Sequence, residues 1–211
     1  PDTLATHFIK GMKIYRSHFT QMEFDNFNIL GEKILREYYD EYKDQWNTAK
    51  QTISEKNIKH TSIGEIPIKG KIDKVEIYDD HVKVIDYKTG TYKKDKLAGV
   101  SDEDQGGDYW RQLVFYKLLV DNDPTLDWKM KSGTMDFVEK AKTKVKYDKI
   151  ELPISSQDEE AVTKQLQESW TAIHNYEFEQ FCEDENCRWC NFVRDTSIVQ
   201  PVELDESYNE E

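Results

Sequence analysis

Hydrophobic residues recur at steps of three and four along four segments of the chain, and this spacing predicts four helices. The segments are residues 3–20, 23–50, 108–120 and a stretch that starts at Ser156. Asp108 is the expected N-cap of the third helix, and Ser156 with Glu159 forms a Ser-x-x-Glu capping box for the fourth. Ahead of the third helix, residues 91–107 are charged and contain glycine, which predicts a loop, either a solvated one or a flap over a site.

Alternating apolar and polar residues predict strands in the middle of the chain. The predicted strands are 58–63, 66–77, 81–89, 127–140 and 144–153, and the last two extend the same sheet. Asp79 and Asp80 form the two-residue loop of a tight hairpin, because Asp tolerates the backbone conformation that such loops need. The length of this loop sets the register in which the two strands pair.

The hairpin register brings charged residues together. A loop at Asp79 and Asp80 makes the numbers of facing residues sum to 159, so Asp73 faces Asp86, and Lys88 shares their side of the sheet. Like charges at facing positions, about 5 Å apart, destabilise a sheet, so the pair does not serve stability. Two carboxylates beside a lysine suit a divalent cation and the hydrolysis of a phosphodiester. The alternative is a solvated strand face, because a shift of one residue would separate the carboxylates.

The helix at 108–120 carries three polar or aromatic residues on one face, namely Tyr109, Gln112 and Tyr116. This face is either exposed to solvent, or it holds a nucleic-acid backbone or a catalytic water. The residues alone leave both interpretations open.

The size and composition of the chain indicate how many domains it forms and whether it is ordered. With 211 residues it is long enough for a sizeable core, and twelve Tyr, nine Phe and five Trp argue against disorder despite 34% charged residues. We expect one domain at 1–198, followed by a flexible acidic tail at 199–211. Within the domain, residues 1–50 form a helical part, 53–153 the sheet core with its helix, and 156–192 a helix and a cysteine cluster.

Charge and hydropathy narrow the function classes. No apolar run approaches the about 20 residues of a membrane span, and no signal peptide precedes the first helix. Because the chain starts at Pro1 without Met, we expect it to be a piece of a longer polypeptide. The net charge of −13 argues against a simple basic surface for nucleic acid. It leaves an enzyme on DNA open, since metal ligands add negative charge and a basic groove can be local.

Three cysteines, Cys182, Cys187 and Cys190, lie within nine residues near the C-terminus. An odd number in this arrangement is not a disulfide framework and fits a reducing compartment. Zinc or an iron–sulfur cluster takes four ligands, and the fourth would be His174 or a cysteine outside this sequence. The alternative is that the thiols are buried and packed beside Trp189 and Phe192.

Four motifs in order resemble a known family of nucleases. They are GKIDKV at 70–75, VIDYKTG at 84–90, YWRQLVFYK at 109–117 and CRWCNF at 187–192. Together they resemble the PD-(D/E)XK nuclease domains of the RecB/AddB type, and most closely the nuclease domain at the C-terminus of UvrD-like helicases of the Bacteroides kind. The resemblance covers about residues 53–192. It implies a restriction-endonuclease-like α/β core, in which helices flank a mixed central sheet, with an N-terminal helical part.

The resemblance implies roles for the residues of the hairpin. Asp73 matches the first metal-binding acid of the family, and Asp86 with Lys88 matches the acid and the lysine of its D-x-K element. The backbone carbonyl of Tyr87 lies where the family offers a further metal ligand.

The resemblance also extends to residues outside the hairpin. Gln112 and Tyr116 match a Gln-x-x-x-Tyr helix that contacts DNA near the cleavage point. His7 ends the sequence TLATH, which matches the metal-ligand pattern GTxxH of the family except for its glycine; otherwise it is an ordinary surface or core histidine. Relatives with an iron–sulfur cluster use one cysteine upstream of the core and three at its end. This sequence has only the terminal three, at a different spacing.

The function implied by the resemblance is that of a Mg²⁺- or Mn²⁺-dependent deoxyribonuclease. It would hydrolyse phosphodiester bonds as an exonuclease, together with helicase domains of the same polypeptide or complex, in DNA repair and recombination. The implied location is the bacterial cytoplasm, in association with the nucleoid. Two other hypotheses stay open: an inactive nuclease fold that docks or guides a strand within a helicase complex, and a zinc-bound interaction module built on the cysteine cluster.

Overall fold

A computed structural model describes residues 1–46, 48–101, 105–141, 144, 146–177 and 184–196 of the chain. The chain divides into two compact units, residues 1–167 and residues 168–211. Cys182 and the acidic tail at 199–211 lie outside the described residues, so the predictions made for them stay predictions. Among the described helices, none is long and apolar enough to cross a bilayer.

The N-terminal part is helical, as predicted, and consists of α1 (Asp2–Ile14) and α2 (Gln21–Tyr42). A capping box starts α2, because the Thr20 hydroxyl accepts a hydrogen bond from the Glu23 N–H and the Glu23 carboxylate accepts one from the Thr20 N–H. Each helix ends earlier than the apolar spacing predicts. Short 3-10 turns, at Arg16–His18 and Lys43–Gln45, follow the two helices.

In the part of the chain that the structure describes, five strands form one sheet in the order of the chain. They are β1 (Gln51–Ile63), β2 (Ile66–Ile77), β3 (Val82–Lys88), β4 (Met130–Phe137) and β5 (Lys149–Pro153). All neighbours are antiparallel except β3 and β4, which are parallel. The predicted fold class, a mixed central sheet flanked by helices, is confirmed.

The strand boundaries differ from the predicted ones at β1, β4 and β5. The edge strand β1 begins at Gln51 instead of residue 58, because its exposed, polar first half pairs with β2 from the Gln51–Ile77 pair onward. The pattern of side chains could not reveal this, since only the backbone hydrogen bonds of a neighbour hold such a segment in a sheet. The strands β4 and β5 are shorter than predicted, at 130–137 and 149–153.

The parallel strands β3 and β4 are joined by a crossover that contains α3 (Asp108–Asn122). This helix buries its apolar face, which includes Trp110, Leu113 and Leu119, and packs against β1, β2 and β4. Asp108 is not its N-cap as predicted; Gly107 occupies that position and Asp108 lies in the first turn. A side chain at Gly107 would collide with the backbone of Asp95 and Lys96.

The helix α4 (Ser156–His174) starts one residue away from the predicted capping box. Ser155 and Asp158 form the box: the Ser155 hydroxyl accepts from the Asp158 N–H, and the Asp158 carboxylate accepts from the Ser155 N–H at 2.8 Å. The pair Ser156–Glu159 has the same spacing, so the sequence did not distinguish the two. The other Asp158 oxygen accepts a bond of 2.8 Å from the Trp110 indole N–H, and this tertiary contact favours the observed cap. The last described helix is α5 (Arg188–Thr196).

A buried hydrogen bond ties α2 to the sheet. The Tyr38 hydroxyl donates to Asp136 Oδ2 at 2.7 Å, and Lys149 Nζ lies 3.2 Å from the same oxygen. Asp136 is 1% exposed, and its Oδ1 has no hydrogen-bond partner among the described residues. Burial, followed by the charge of Asp136, raises the pKa of Tyr38 far above its ordinary value, so the hydroxyl stays a donor.

Replacing Tyr38 with phenylalanine is expected to lower the free energy of unfolding by about 1–3 kcal/mol, because a buried carboxylate then loses its hydroxyl donor. Urea denaturation measures this change. The matched control is Tyr39→Phe on the same helix, since the Tyr39 ring packs on Trp46 and its hydroxyl has no hydrogen bond within the described ranges. Equal losses in the two variants would contradict the role of the Tyr38 hydrogen bond.

Candidate active site

The predicted register of the β2–β3 hairpin is confirmed. The paired residues run from Ile77–Val82 to Lys74–Ile85, and each pair sums to 159. Beyond the last pair, Asp73 and Asp86 occupy the next positions in the same register. Here the Tyr87 N–H donates to a side chain instead of to a backbone carbonyl of β2. Its acceptor is Asp73 Oδ2, at 3.0 Å. Asp73 is therefore fixed on β3 beside Asp86.

Asp86 is the centre of a hydrogen-bond network. Its side chain is buried, with 3% of the residue exposed. Oδ1 accepts hydrogen bonds from Gln112 Nε2 at 2.8 Å and from the Tyr116 hydroxyl at 2.9 Å. Oδ2 has no hydrogen-bond partner among the described residues, but it lies 2.6 Å from Lys88 Nζ in an ion pair. One oxygen is thus held by two donors, whereas the other is balanced by charge alone.

Gln112 connects the acid to the lysine. Its amide Nε2 donates to Asp86, and its Oε1 accepts a hydrogen bond of 2.8 Å from Lys88 Nζ. Nε2 also donates to the Tyr116 hydroxyl at 2.8 Å, and that hydroxyl in turn donates a hydrogen bond to Asp86 Oδ1. Since the NH₂ group meets acceptors and the amide oxygen meets a donor, the orientation of the Gln112 side chain is fixed.

Tyr116 stays a hydrogen-bond donor over the whole physiological pH range. Burial, followed by the charge of Asp86, raises the pKa of its hydroxyl well above the ordinary value. The sequence placed Gln112 and Tyr116 on one helix face, and this is confirmed by their shared contact with Asp86. Their contact with DNA stays a prediction; in the structure both side chains contact the acid, and Gln112 also contacts Lys88.

The side chain of Tyr87 lies away from Asp86 and Lys88, since neighbouring residues of a strand point to opposite faces. Its ring packs edge-on to Tyr38, with ring centres 6.4 Å apart. Burial and the nearby Asp136 raise the pKa of Tyr87 to about 12. Its backbone N–H serves Asp73, and the role of its carbonyl as a metal ligand stays a prediction.

The structure does not group His7 with the two acids. His7 is exposed on α1, and no cluster of three or more His, Cys, Asp or Glu residues able to hold a metal occurs in the described part of the chain. Two of the predicted cysteines can be placed: Cys187 precedes α5 and Cys190 lies within it, both half-buried thiols. His174 is at the end of α4, where its Nδ1 lies 2.9 Å from the Trp170 carbonyl oxygen.

The oxygen donors around Asp86 fit a hard divalent cation. Mg²⁺ is typically bound by one or two carboxylates, and it retains waters and phosphate oxygens as its other ligands. Asp86 supplies one carboxylate, and Asp73, bonded to the N–H of the neighbouring Tyr87, supplies a second. The buried Asp86 Oδ2, which lacks a hydrogen bond, is an oxygen that only a positive charge satisfies.

The sequence did not identify the contacts of Lys96, which lies in a 3-10 turn at Asp95–Leu97. Its Nζ is 4.9 Å from the centre of the Tyr109 ring, and Lys88 Nζ is 5.1 Å from the same point. The segment at 91–107 was predicted to be a loop, and within it this turn is anchored by the buried Leu97. Sequence spacing could not predict the contact between Lys96 and Tyr109, because the two residues belong to a loop and a helix whose relative position no periodicity fixes.

Comparisons with known proteins agree with the fold. Residues 13–194 match a family model described as the PD-(D/E)XK nuclease superfamily. Among curated proteins, no sequence matches. A solved structure from Eubacterium rectale, named "putative exonuclease", is 14% identical with a TM-score of 0.55, and the match covers 100% of this chain and 78% of that one. The crystal structure of SSO0001 is 17% identical with a TM-score of 0.39, covering 93% of this chain and 78% of that one.

Proposed function

Because the chain belongs to the PD-(D/E)XK nuclease superfamily, we propose that it is a Mg²⁺- or Mn²⁺-dependent DNA exonuclease that works with helicase domains in DNA repair and recombination. The environment of Asp86 carries the proposal. This carboxylate is almost fully buried, held by two donors on one oxygen and paired with a lysine on the other. A buried ion pair contributes little to stability, so stability does not account for this arrangement, and a catalytic role does.

The two acids provide the cation site of the proposed enzyme. Asp73 and Asp86 would hold Mg²⁺ or Mn²⁺, with the Tyr87 carbonyl as a further oxygen ligand. When bound, the cation supplies a water of lowered pKa and positive charge against the scissile phosphate. Asp73 is already oriented for this role by the Tyr87 N–H, and Asp86 by Gln112 and Tyr116.

Lys88 acts on the nucleophile in this proposal. Its ammonium group is held by Asp86 Oδ2 at 2.6 Å and by Gln112 Oε1 at 2.8 Å, beside the two acids. From there the Lys88 ammonium orients the attacking water and stabilises the negative charge that develops on the phosphate. Deprotonation of the water is the alternative role, and it requires the neutral amine, which then takes up the proton. Its charged group reaches this place before substrate arrives, so little reorganisation is needed during the reaction.

Gln112 and Tyr116 have two proposed tasks. They fix Asp86 and Lys88 relative to each other through the hydrogen bonds already described. They also contact the DNA strand near the cleaved bond, as the Gln-x-x-x-Tyr helix of the resembled nuclease domains implies. The first task is supported by distances, and the second by resemblance.

The biological setting rests on the motifs. The set that runs from GKIDKV to CRWCNF resembles the nuclease domain of UvrD-like helicases, which supports helicase domains as partners and an action on DNA in the bacterial nucleoid. The similar structure from Eubacterium rectale bears the name of an exonuclease, which supports degradation from an end.

A docking module with an inactive nuclease fold is the second candidate. The exposed position of His7 and the net charge of −13 favour it. The intact network of Asp86, Lys88 and Gln112 favours the enzyme, because a scaffold has no use for a buried ion pair of this kind.

Degradation of end-labelled linear DNA, single- and double-stranded, tests the proposal. We expect the protein to shorten the DNA from its ends with Mg²⁺ or Mn²⁺, and EDTA to abolish the reaction because the acids then lack their cation. Circular DNA of the same sequence is the control and should stay intact. Cutting of the circle would contradict exonuclease action, and no degradation with either cation would favour the docking module.

A further inference from the structure

A second lysine approaches the candidate site from the loop that follows β3. Lys96 Nζ lies 4.9 Å from the centre of the Tyr109 ring, and Lys88 Nζ lies 5.1 Å from it. Both distances fall within the about 6 Å over which an aromatic ring attracts a cation. The Tyr109 ring therefore contacts two ammonium groups, one of which belongs to the proposed catalytic set.

The backbone that carries Lys96 is fixed against the start of α3. The Gly107 N–H donates a hydrogen bond of 2.8 Å to the Ala98 carbonyl, and Leu97 is buried. Gly107 packs so closely on the Asp95 and Lys96 backbone that a Cβ would collide there. The backbone at Lys96 is thus fixed against Gly107, which is the N-cap of the helix that carries Tyr109.

The Tyr109 ring is fixed as well. It packs against Phe137 with ring centres 6.0 Å apart, and Phe137 is fully buried. Phe137 is the β4 partner of Lys88 in the parallel pair. Strand β4, the catalytic lysine and the ring therefore form one packed group, to which the turn adds Lys96.

Among the described residues, no carboxylate balances the charge of Lys96. No Asp or Glu within the described ranges lies in ion-pair distance of its Nζ, whereas Lys88 pairs with Asp86 at 2.6 Å. Two ammonium groups near one ring repel each other, and Asp86 neutralises only Lys88. In a protein with a net charge of −13, an unbalanced lysine at this place points to an anionic ligand that comes from outside.

We propose that Lys96 binds a backbone phosphate of the DNA strand next to the scissile one, and that Tyr109 is the positioning residue that holds Lys96 and Lys88. This inference rests on the proposed nuclease function. Since each nitrogen lies near 5 Å from one ring centre, the two charges are at most about 10 Å apart, which reaches a phosphate within about three nucleotides along a strand. The two lysines together therefore suit a strand with several phosphates. A single phosphate monoester would engage only one of them.

The test is the salt dependence of DNA binding. Fluorescence anisotropy with a labelled single-stranded oligonucleotide is measured in EDTA over a range of salt concentrations, so that the substrate is not consumed. We expect Lys96→Gln to raise Kd by about 3–10-fold at moderate salt and to reduce the slope of log Kd against log salt by about 0.7, the loss of one phosphate contact. Lys96→Arg should keep the Kd and the slope of the wild type. Tyr109→Leu should shift the slope in the same direction as Lys96→Gln.

The matched control is Lys59→Gln, because Lys59 is exposed on the edge strand β1 and the variant makes the same change in net charge. An unchanged slope in Lys96→Gln, or an equal change in Lys59→Gln, would overturn the inference while cleavage by the wild type still upheld the proposed function. If the wild type neither binds nor cleaves DNA, both proposals fall together.

Discussion

Replacing Asp86 with asparagine is expected to lower the rate of metal-dependent DNA cleavage by at least about a thousandfold. Asparagine keeps the shape of the side chain and an acceptor for Gln112 and Tyr116, but it removes the negative charge of the buried Oδ2. The cation then loses one of two carboxylates, and Lys88 faces an amide instead of its ion-pair partner. Initial rates on end-labelled linear DNA measure the effect.

The same variant should lose its thermal response to cations. A cation at about 100 times its Kd stabilises the folded protein by about 2.7 kcal/mol, which for a chain of this size raises Tm by about 5–10 °C. We expect this shift in the wild type with Mg²⁺ or Mn²⁺ and not in Asp86→Asn. Asp79→Asn in the exposed hairpin loop is the matched control and should keep both the shift and the activity. A normal shift in Asp86→Asn would remove Asp86 from the cation site.

Replacing Lys88 with alanine is expected to lower the cleavage rate by about 10²–10⁴-fold, the usual contribution of a group that transfers a proton or balances charge in the transition state. The variant also leaves the buried Asp86 Oδ2 without its counter-charge, which should destabilise the cation-free protein by about 3 kcal/mol. Both acids remain, so cations should still raise Tm. Lys88→Ala and Asp86→Asn therefore differ in a measurable way although both are inactive.

The control for this variant is Lys59→Ala on the exposed edge of β1, which should cleave DNA like the wild type. Activity of Lys88→Ala within tenfold of the wild type would show that the lysine only neutralises Asp86. Loss of the cation-induced Tm shift in Lys88→Ala would instead show that the variant disrupts the site as a whole, and the comparison would then need Lys88→Gln.

Local sequence patterns predicted the hairpin of the site well. The two-residue loop at Asp79 and Asp80 sets the register that the strands follow from Ile77–Val82 to Lys74–Ile85. Just beyond these pairs, the Asp73 carboxylate accepts from the N–H of Tyr87, the residue after Asp86. Helical periodicity likewise put Gln112 and Tyr116 on one face of α3. These predictions depend on distances along one element or across one tight turn, which the chain geometry sets by itself.

Other features were not predictable in this way. The capping register of α4 was ambiguous between two pairs of equal spacing, and the Trp110 indole favoured Asp158. The first half of β1 has no apolar pattern and is held only by its pairing with β2. The resemblance offered His7 as a metal ligand; the structure places it exposed on α1, and its role as a ligand stays a prediction.

The sequence by itself determined the types and order of the main elements, the hairpin register and the candidate site residues on each element, because the covalent geometry of a strand or a helix fixes which side chains share a face. Only the tertiary structure decided what those residues touch. It placed the amide of Gln112 between Asp86 and Lys88, and it brought Lys96 to the Tyr109 ring. Such contacts join elements that are distant in the chain, and they depend on how buried surfaces pack, which no spacing along a single element records.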